Sequence, residues 1–226
     1  MIAVADLLQG NRLPGNYFAP DAYLQGDFES GLLENRRGAR LVALPETLLQ
    51  AIYAGLEKET GQASRIVLFN CGRWWGKNFY RRFVEEVSAY YDRPLAEMAM
   101  AEFLQCMKQC WKTHGWGVFE LDVSHYQNGF LVVELSHSAF AAAAPKENSS
   151  PACDVEAGLL SAFFSQLTGR ELHCVQTACE SLGADRNYFI LGLRERVEPA
   201  AAWLEEGHDH ATILDRLCSS TPAGRN

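Results

Sequence analysis

Apolar residues recur every four positions through the middle of the first half of the chain. Val67, Cys71, Trp75, Phe79 and Phe83 form one stripe, and Ile66, Tyr80, Val84 and Val87 widen it. That periodicity predicts a single long amphipathic helix over 63–91. A shorter helix precedes it. Pro45-Glu46 opens it, because proline tolerates the first turn and a carboxylate suits the positive end of the helix dipole. Leu48, Leu49, Ile52, Tyr53 and Leu56 carry its apolar face to about residue 59. Pro94 breaks the pattern, and a further helix over about 95–113 presents Met100, Phe103, Leu104, Met107 and Trp111 on one face before Gly115 ends it.

The period then changes to two. Residues 116–124 and 130–136 read as strands joined across Asn128-Gly129. Val118, Glu120 and Asp122 alternate with Phe119, Leu121 and Val123, which predicts one wet and one buried face. Asp154 is placed to cap a helix over 155–167 that Gly169 closes. Strands over 171–178 and 188–193 flank a turn at Gly183-Ala184-Asp185, and short helices begin near Pro199 and His208, with a frayed tail from Ser219. The first forty residues are broken by turn signals at Gly10-Asn11, Pro14-Gly15-Asn16, Pro20-Asp21 and Gly26-Asp27. A hairpin is expected to pair 31–34 with 40–43. Residues 138–152 are rich in Ala, Ser and Pro and read as a loop or an ordered lid. Hairpins separated by helices predict an α+β fold, an antiparallel β-sheet with helices packed on it, and not a Rossmann alternation. Three regions follow: 1–44, an extension with a hairpin; 45–195, the central domain; and 196–226, C-terminal helices and tail.

Composition narrows the function. With 226 residues, 48% apolar and 11% aromatic, the chain can bury a large core. Its formal net charge of −8 repels phosphate backbones and anionic lipid, so nucleic acid and membrane surfaces are poor partners. Arg81-Arg82, the densest basic cluster, has Glu85 and Glu86 one turn on and reads as a solvated face. No apolar run reaches the length of a transmembrane segment, and the first six residues lack the basic start of a secretory signal. Seven irregularly spaced cysteines argue for reduced thiols and a cytoplasmic setting.

Among catalytic motifs, GxGxxG after a strand, GxxxxGK[ST], HExxH and GxSxG are all missing. His208-Asp209-His210 resembles a metal pair, but residues two apart on a helix diverge, and a solvated N-terminal turn is the simpler reading. Cys106 and Cys110, one turn apart, read as small core residues. Gly72 and Gly76 stand one turn apart on the long helix, each at a cost of about 1 kcal/mol relative to Ala. Such a step permits close approach of another backbone or of a ligand. Trp74, Trp75, Phe79 and Phe83 would meet Phe103, Met107 and Trp111, with Trp116 nearby, either as a pocket or as a filled core.

Cys153, the capped helix with Gly158 and Gly169, then Cys179, Gly183 and Tyr188-Phe189-Ile190, resemble the ending of the 4-vinyl-reductase domain family, whose fold is shared with TRAPP trafficking subunits. The resemblance reaches back to Gly72-Arg73 and Gly76 and covers roughly 46–193. It implies a small-molecule-binding or sensory domain, often dimeric. Many members hold Zn²⁺ on a Cys, a Glu and two further Cys, which fall here on Cys153, Gln176, Cys179 and Asn187. Amides are weak zinc donors, so this site is read as degenerate, without metal or other cofactor. His173 and Cys174 could restore it only through a shift of strand register. Gly15-Asn16-Tyr17-Phe18-Ala19-Pro20-Asp21 and Asn70-Cys71-Gly72-Arg73-Trp74-Trp75-Gly76 resemble a cyanobacterial branch associated with photosystem II assembly, which would make a chlorophyll-type tetrapyrrole the ligand and photosystem assembly proteins the partners.

The expectation is a non-catalytic, homodimeric carrier. It would hold an apolar small molecule at Gly72, Arg73, Trp74, Trp75, Gly76, Phe79, Phe83, Phe103, Met107, Trp111 and Trp116, with Arg73 as the polar anchor for an anionic group. The alternative is an assembly or scaffold protein with no small ligand and an exposed aromatic surface. A vinyl reductase would need a hydride source, and no nicotinamide or flavin fingerprint is present.

Overall fold

In the computed structural model, residues 15–144, 151 and 153–220 are described. The expected features at 1–14, the part of the predicted lid at 145–150 and 152, and the tail at 221–226 lie outside them. In chain order the helices are α1 (Pro20–Tyr23), α2 (Glu46–Thr60), α3 (Ala63–Tyr91), α4 (Met100–Thr113), α5 (Ala139–Ala143), α6 (Asp154–Thr168), α7 (Arg194–Val197), α8 (Pro199–Glu205) and α9 (His210–Ser219). The strands are β1 (Leu24–Asp27), β2 (Leu32–Asn35), β3 (Val118–Asp122), β4 (Leu131–Ser136), β5 (Leu172–Ala178) and β6 (Asn187–Leu193). The chain divides into two compact units, Met1–Leu44 with Arg82–Trp116, and Pro45–Arg81 with Gly117–Asn226.

In the first unit the buried face of α4 is Phe103, Cys106, Met107, Cys110 and Trp111, a stripe at helical spacing. Tyr17, Phe18 and Phe83 complete this aromatic core. Phe18 stacks on Phe83 at 5.5 Å between ring centroids, and Phe103 meets Phe83 edge-on at 5.9 Å. Fully burying each such ring is worth about 1.5–3 kcal/mol. Cys106 and Cys110 are core residues here, fully buried. Two expectations are corrected. The helix over 95–113 is a 3₁₀ turn (Leu95–Glu97) followed by α4, because Ala99 is extended. Its N–H is held by the Glu102 carboxylate at 2.9 Å, and that carboxylate is paired with Arg93. The hairpin pairs β1 with β2, and the expected pairing survives only in part, as a Glu34–Arg40 bridge flanked by backbone bonds from Leu41 to Leu33 and from Asn35 to Ala39. Asp27 fixes that register: its carboxylate accepts from the backbone N–H of Glu29 and Ser30, folding the turn before β2.

In the second unit an antiparallel sheet of order β3-β4-β6-β5 carries α6 against β5. On one face of the sheet Val133, Leu135, Phe189 and Leu191 are buried. The opposite face was expected to be wet. Instead Phe130, Val132 and Ile190 lie beneath Val197, Ala200, Ile213 and Leu217, so the C-terminal helices cover it. β3 keeps a weak alternation in which Phe119 alone is fully buried. Cys153, not Asp154, occupies the N-cap of α6, and Gly169 closes that helix in the left-handed conformation at φ +67°. Ser138 caps α5 by accepting from the N–H of Phe140 and Ala141.

Candidate functional site

The glycine step is filled. A Cβ on Gly72 would lie 2.1 Å from the Val155 carbonyl oxygen, and one on Gly76 would lie 2.6 Å from that of Leu159. Gly158 answers from α6, where a Cβ would lie 2.1 Å from the Phe69 carbonyl oxygen. Three glycines therefore let α3 and α6 cross backbone to backbone, and no room is left for a methyl group. The notch was read as open to a backbone or a ligand, and a backbone takes it. Around the crossing Trp75 packs on Phe140 at 6.1 Å and Phe79 on Phe163 at 5.4 Å.

The remaining residues expected to bind ligand divide between the two units. Trp74 stands 74% exposed on α3. Arg73 is paired with Glu171 at 3.5 Å and keeps a third of its side chain exposed, so it is not a buried anchor awaiting an anion. Phe83, Phe103, Met107, Trp111 and Trp116 belong to the first unit. There Met107 and Trp111 are fully buried, and Trp111 meets Trp116 edge-on at 5.3 Å.

The four positions carried over from the zinc-binding pattern do converge. Cys153 and Cys179 place their sulfurs 3.7 Å apart, and the Cys153 N–H donates to Gln176 Oε1 at 2.9 Å. Asn187 donates to the Leu135 carbonyl at 3.1 Å and to Glu180 Oε2 at 2.7 Å, while its own oxygen accepts from the Glu180 N–H at 3.0 Å. Cys153, Gln176, Cys179 and Asn187 are all buried. The hydrogen bond with Cys179, together with burial, pushes the Cys153 thiol well above its ordinary value, so it stays protonated at neutral pH. The residues do not fit zinc: the amide groups are committed to hydrogen bonds that tie β6 to β4 and β5 to the start of α6. Among the described residues no group of three His, Cys, Asp or Glu is placed to hold a metal. Cys174 pairs with Leu191 in regular register, and His173 packs on Phe69 at 5.3 Å.

The second histidine of the pair at 208–210 is not simply solvated. His210 stacks on Tyr188 at 4.3 Å and bonds Thr177 Oγ1 at 2.7 Å, and burial holds its pKa below the usual imidazole value. Asp209 caps α9, accepting from the Thr212 N–H.

A groove of about 1380 Å³ opens in the second unit, between α2, the start of α3, β5 and α8. Tyr53, Leu68, Val175, Ala178 and Leu204 give it an apolar wall, and Arg65, Asp154 and His208 a polar one. Arg65 donates to both Asp154 oxygens, at 3.2 and 3.3 Å, and to the Pro151 carbonyl at 2.7 Å. Burial pushes the Asp154 carboxyl up and Arg65 pulls it back. Tyr53 is 3% exposed, seated against Leu68 and Ala143, and its hydroxyl has no hydrogen-bond partner. Burial, reinforced by Cys153, Glu156 and Asp154, raises its pKa far above the phenol value, so it is a neutral donor at any physiological pH. Sequence periodicity treats Tyr53 as one apolar position among five, and nothing in the pattern singles out its hydroxyl.

Three solved structures align with the chain, and the first of them shows the same fold. The phenol-responsive sensory domain of the transcription activator PoxR, solved with phenol, aligns at 15% identity and a TM-score of 0.61, covering 82% of this chain and 92% of that one. A vinyl-4-reductase family protein from Methanocaldococcus jannaschii aligns at 18% identity and 0.43, over 69% and 83%. Trafficking protein particle complex subunit 3 from Naegleria fowleri, covalently bound to palmitic acid, aligns at 12% and 0.49, over 66% and 94%. No curated protein matches the chain. Residues 131–193 match the V4R domain. That stretch holds the sheet strands β4, β5 and β6 and the helix α6 between them, together with all the C-terminal residues on which the resemblance was read, and the 4-vinyl-reductase (V4R) resemblance holds across it.

Proposed function

We propose that this protein is a non-catalytic binding or sensory module that holds a small apolar molecule in the groove beside Tyr53. The groove itself carries the reading: it is concave and apolar on one wall, with a few polar groups on the other, as ligand sites are. Its volume exceeds the roughly 300–1,000 Å³ of ordinary small-molecule pockets, so size excludes neither a single ring nor a large fused one. The PoxR domain, similar in fold, was solved with phenol, which supports the class of function. The polar wall is engaged within itself, Arg65 with Asp154, which suits recognition more than turnover. A chlorophyll-type tetrapyrrole, a place in photosystem assembly, a homodimer and a cytoplasmic setting are the finer form of the proposal, and these rest on sequence resemblance and composition. Among the described residues no helix is long and apolar enough to cross a membrane.

The test is an absorption spectrum of the purified protein followed by isothermal titration with phenol and with protoporphyrin IX. A pigment or saturable heat with either compound supports the proposal. A colourless protein giving no saturable heat with both counts against it.

A second reading, a scaffold without a small ligand, draws on one observation. Ile66 (67% exposed), Val67, Cys71 and Trp74 lie at helical spacing on α3, all exposed. Concentration-dependent self-association that Trp74→Ala abolishes would favour it.

A further inference from the structure

Tyr53 makes the groove more specific than its shape does. A buried hydroxyl is nearly always paired, and the buried Tyr23 and the partly buried Tyr91 of the first unit follow that rule, bonding His114 and the Gly15 carbonyl. Tyr53 does not. Its ring is fixed between Leu68 and Ala143, so the hydroxyl cannot swing out to water without dislodging that packing. Tyr53 lines the groove, which has both an apolar and a polar wall.

The surroundings select the partner. Asp154 and Glu156 lie near enough to bias Tyr53 electrostatically, which opposes an anionic group at the hydroxyl. The neighbouring cation, Arg65, is clamped by both Asp154 oxygens and the Pro151 carbonyl, and so offers a carboxylate or phosphate little. The same clamp engages the Asp154 oxygens that a ligand ammonium would seek, and the other lining acids, Glu57 and Glu205, are exposed and screened by water.

Resting on the groove reading above, we infer that Tyr53 donates a hydrogen bond to an uncharged apolar ligand bearing one acceptor oxygen, such as an aryl ketone, ester or ether. The apolar wall takes the hydrocarbon body and the hydroxyl takes the oxygen. The ligand supplies what the fold leaves out.

Four probes of one shape test this by fluorescence titration at neutral pH: 2-acetylnaphthalene, 2-ethylnaphthalene, 2-naphthoate and 2-(aminomethyl)naphthalene. The ketone should bind about tenfold more tightly than the hydrocarbon, the ratio set by one hydrogen bond to an otherwise unpaired donor, and more tightly than either ion. Tyr53→Phe should bring the ketone down to the hydrocarbon's affinity and leave the hydrocarbon unchanged. Its melting temperature should match or exceed the parent's, since the hydroxyl makes no bond in the free protein. Equal affinities for ketone and hydrocarbon in the parent protein, or discrimination that survives in Tyr53→Phe, would overturn the role of Tyr53 while leaving the groove as a binding site. Tightest binding of the naphthoate or the amine would overturn the ligand class. If none of the four saturates, the groove reading falls as well.

Discussion

Placing a methyl group at Gly72 asks whether the glycine step is a packing device or a vacancy, and the sign of the answer decides. In the fold described, the new Cβ would sit 2.1 Å from the Val155 carbonyl oxygen, against 3.4 Å for an ordinary contact, so α3 and α6 would have to part by about 1.3 Å at their crossing. The three nearest atoms, Val155 O and C and Leu159 N, are all backbone, and none can rotate away. Overpacking of this kind costs about 1–3 kcal/mol. Against it stands the gain of about 1 kcal/mol from replacing glycine by alanine within a helix. Gly72→Ala should therefore lose up to about 2 kcal/mol, which for a domain of this size lowers the melting temperature by up to about 4–8 °C. Gly158→Ala, with its Cβ 2.1 Å from the Phe69 carbonyl oxygen, should behave alike. The double variant should lose less than the sum, because one displacement relieves both clashes. Scanning calorimetry reads all three. Were the step open, only the helix-propensity gain would remain, and Gly72→Ala would melt higher than the parent by about 2–4 °C. That result would refute the packing account and return the notch to the list of ligand sites.

Other consequences are open to direct measurement. Restoring the zinc-binding pattern with Gln176→Glu and Asn187→Cys should give about one equivalent of zinc by elemental analysis, while the parent protein purified without added zinc should carry none. Burial holds the pKa values of His114 and His210 below the imidazole norm, so the folded chain binds fewer protons than the unfolded one. Stability is then full above the unfolded value of about 6.5 and declines as pH falls through the folded values. Melting temperature should drop between pH 7 and pH 5, and His114→Gln should flatten that slope. Trp74→Ala, at a site 74% exposed, should change stability by less than about 0.5 kcal/mol, and a larger loss would show that Trp74 is covered in solution.

What the sequence made legible was whatever a single element determines. The long helix was expected over 63–91 and is found at Ala63–Tyr91, because its four-residue apolar spacing is uninterrupted and the helix propensities of its many long side chains agree with it. The three strands of the V4R stretch and α6 lie within two residues of their expected positions, since strand alternation and the closing Gly169 are local signals. The convergence of Cys153, Gln176, Cys179 and Asn187 was implied by resemblance and is realised through amide hydrogen bonds. What failed depended on partners. Gly72 and Gly76 announce close approach, but only the matching Gly158, 82 positions beyond Gly76, decides that a helix fills the space. The wet face of the sheet could not be judged from β3 and β4 alone, because α7, α8 and α9 arrive from the far end of the chain. The hairpin register turned on one carboxylate, Asp27. The groove draws on α2, α3, β5 and α8 and on Asp154 of α6, each with an ordinary pattern, so no window of sequence contains it.

The most direct test is a titration of the ¹⁵N-labelled protein with 2-acetylnaphthalene, followed residue by residue through its amide resonances. Binding beside Tyr53 predicts saturable shifts clustered at Leu68, Val175, Ala178 and Leu204, with Trp74 and the Phe83–Trp111 core still. Shifts centred instead on Gly72 to Phe79, on that aromatic core, or nowhere in the chain would contradict it.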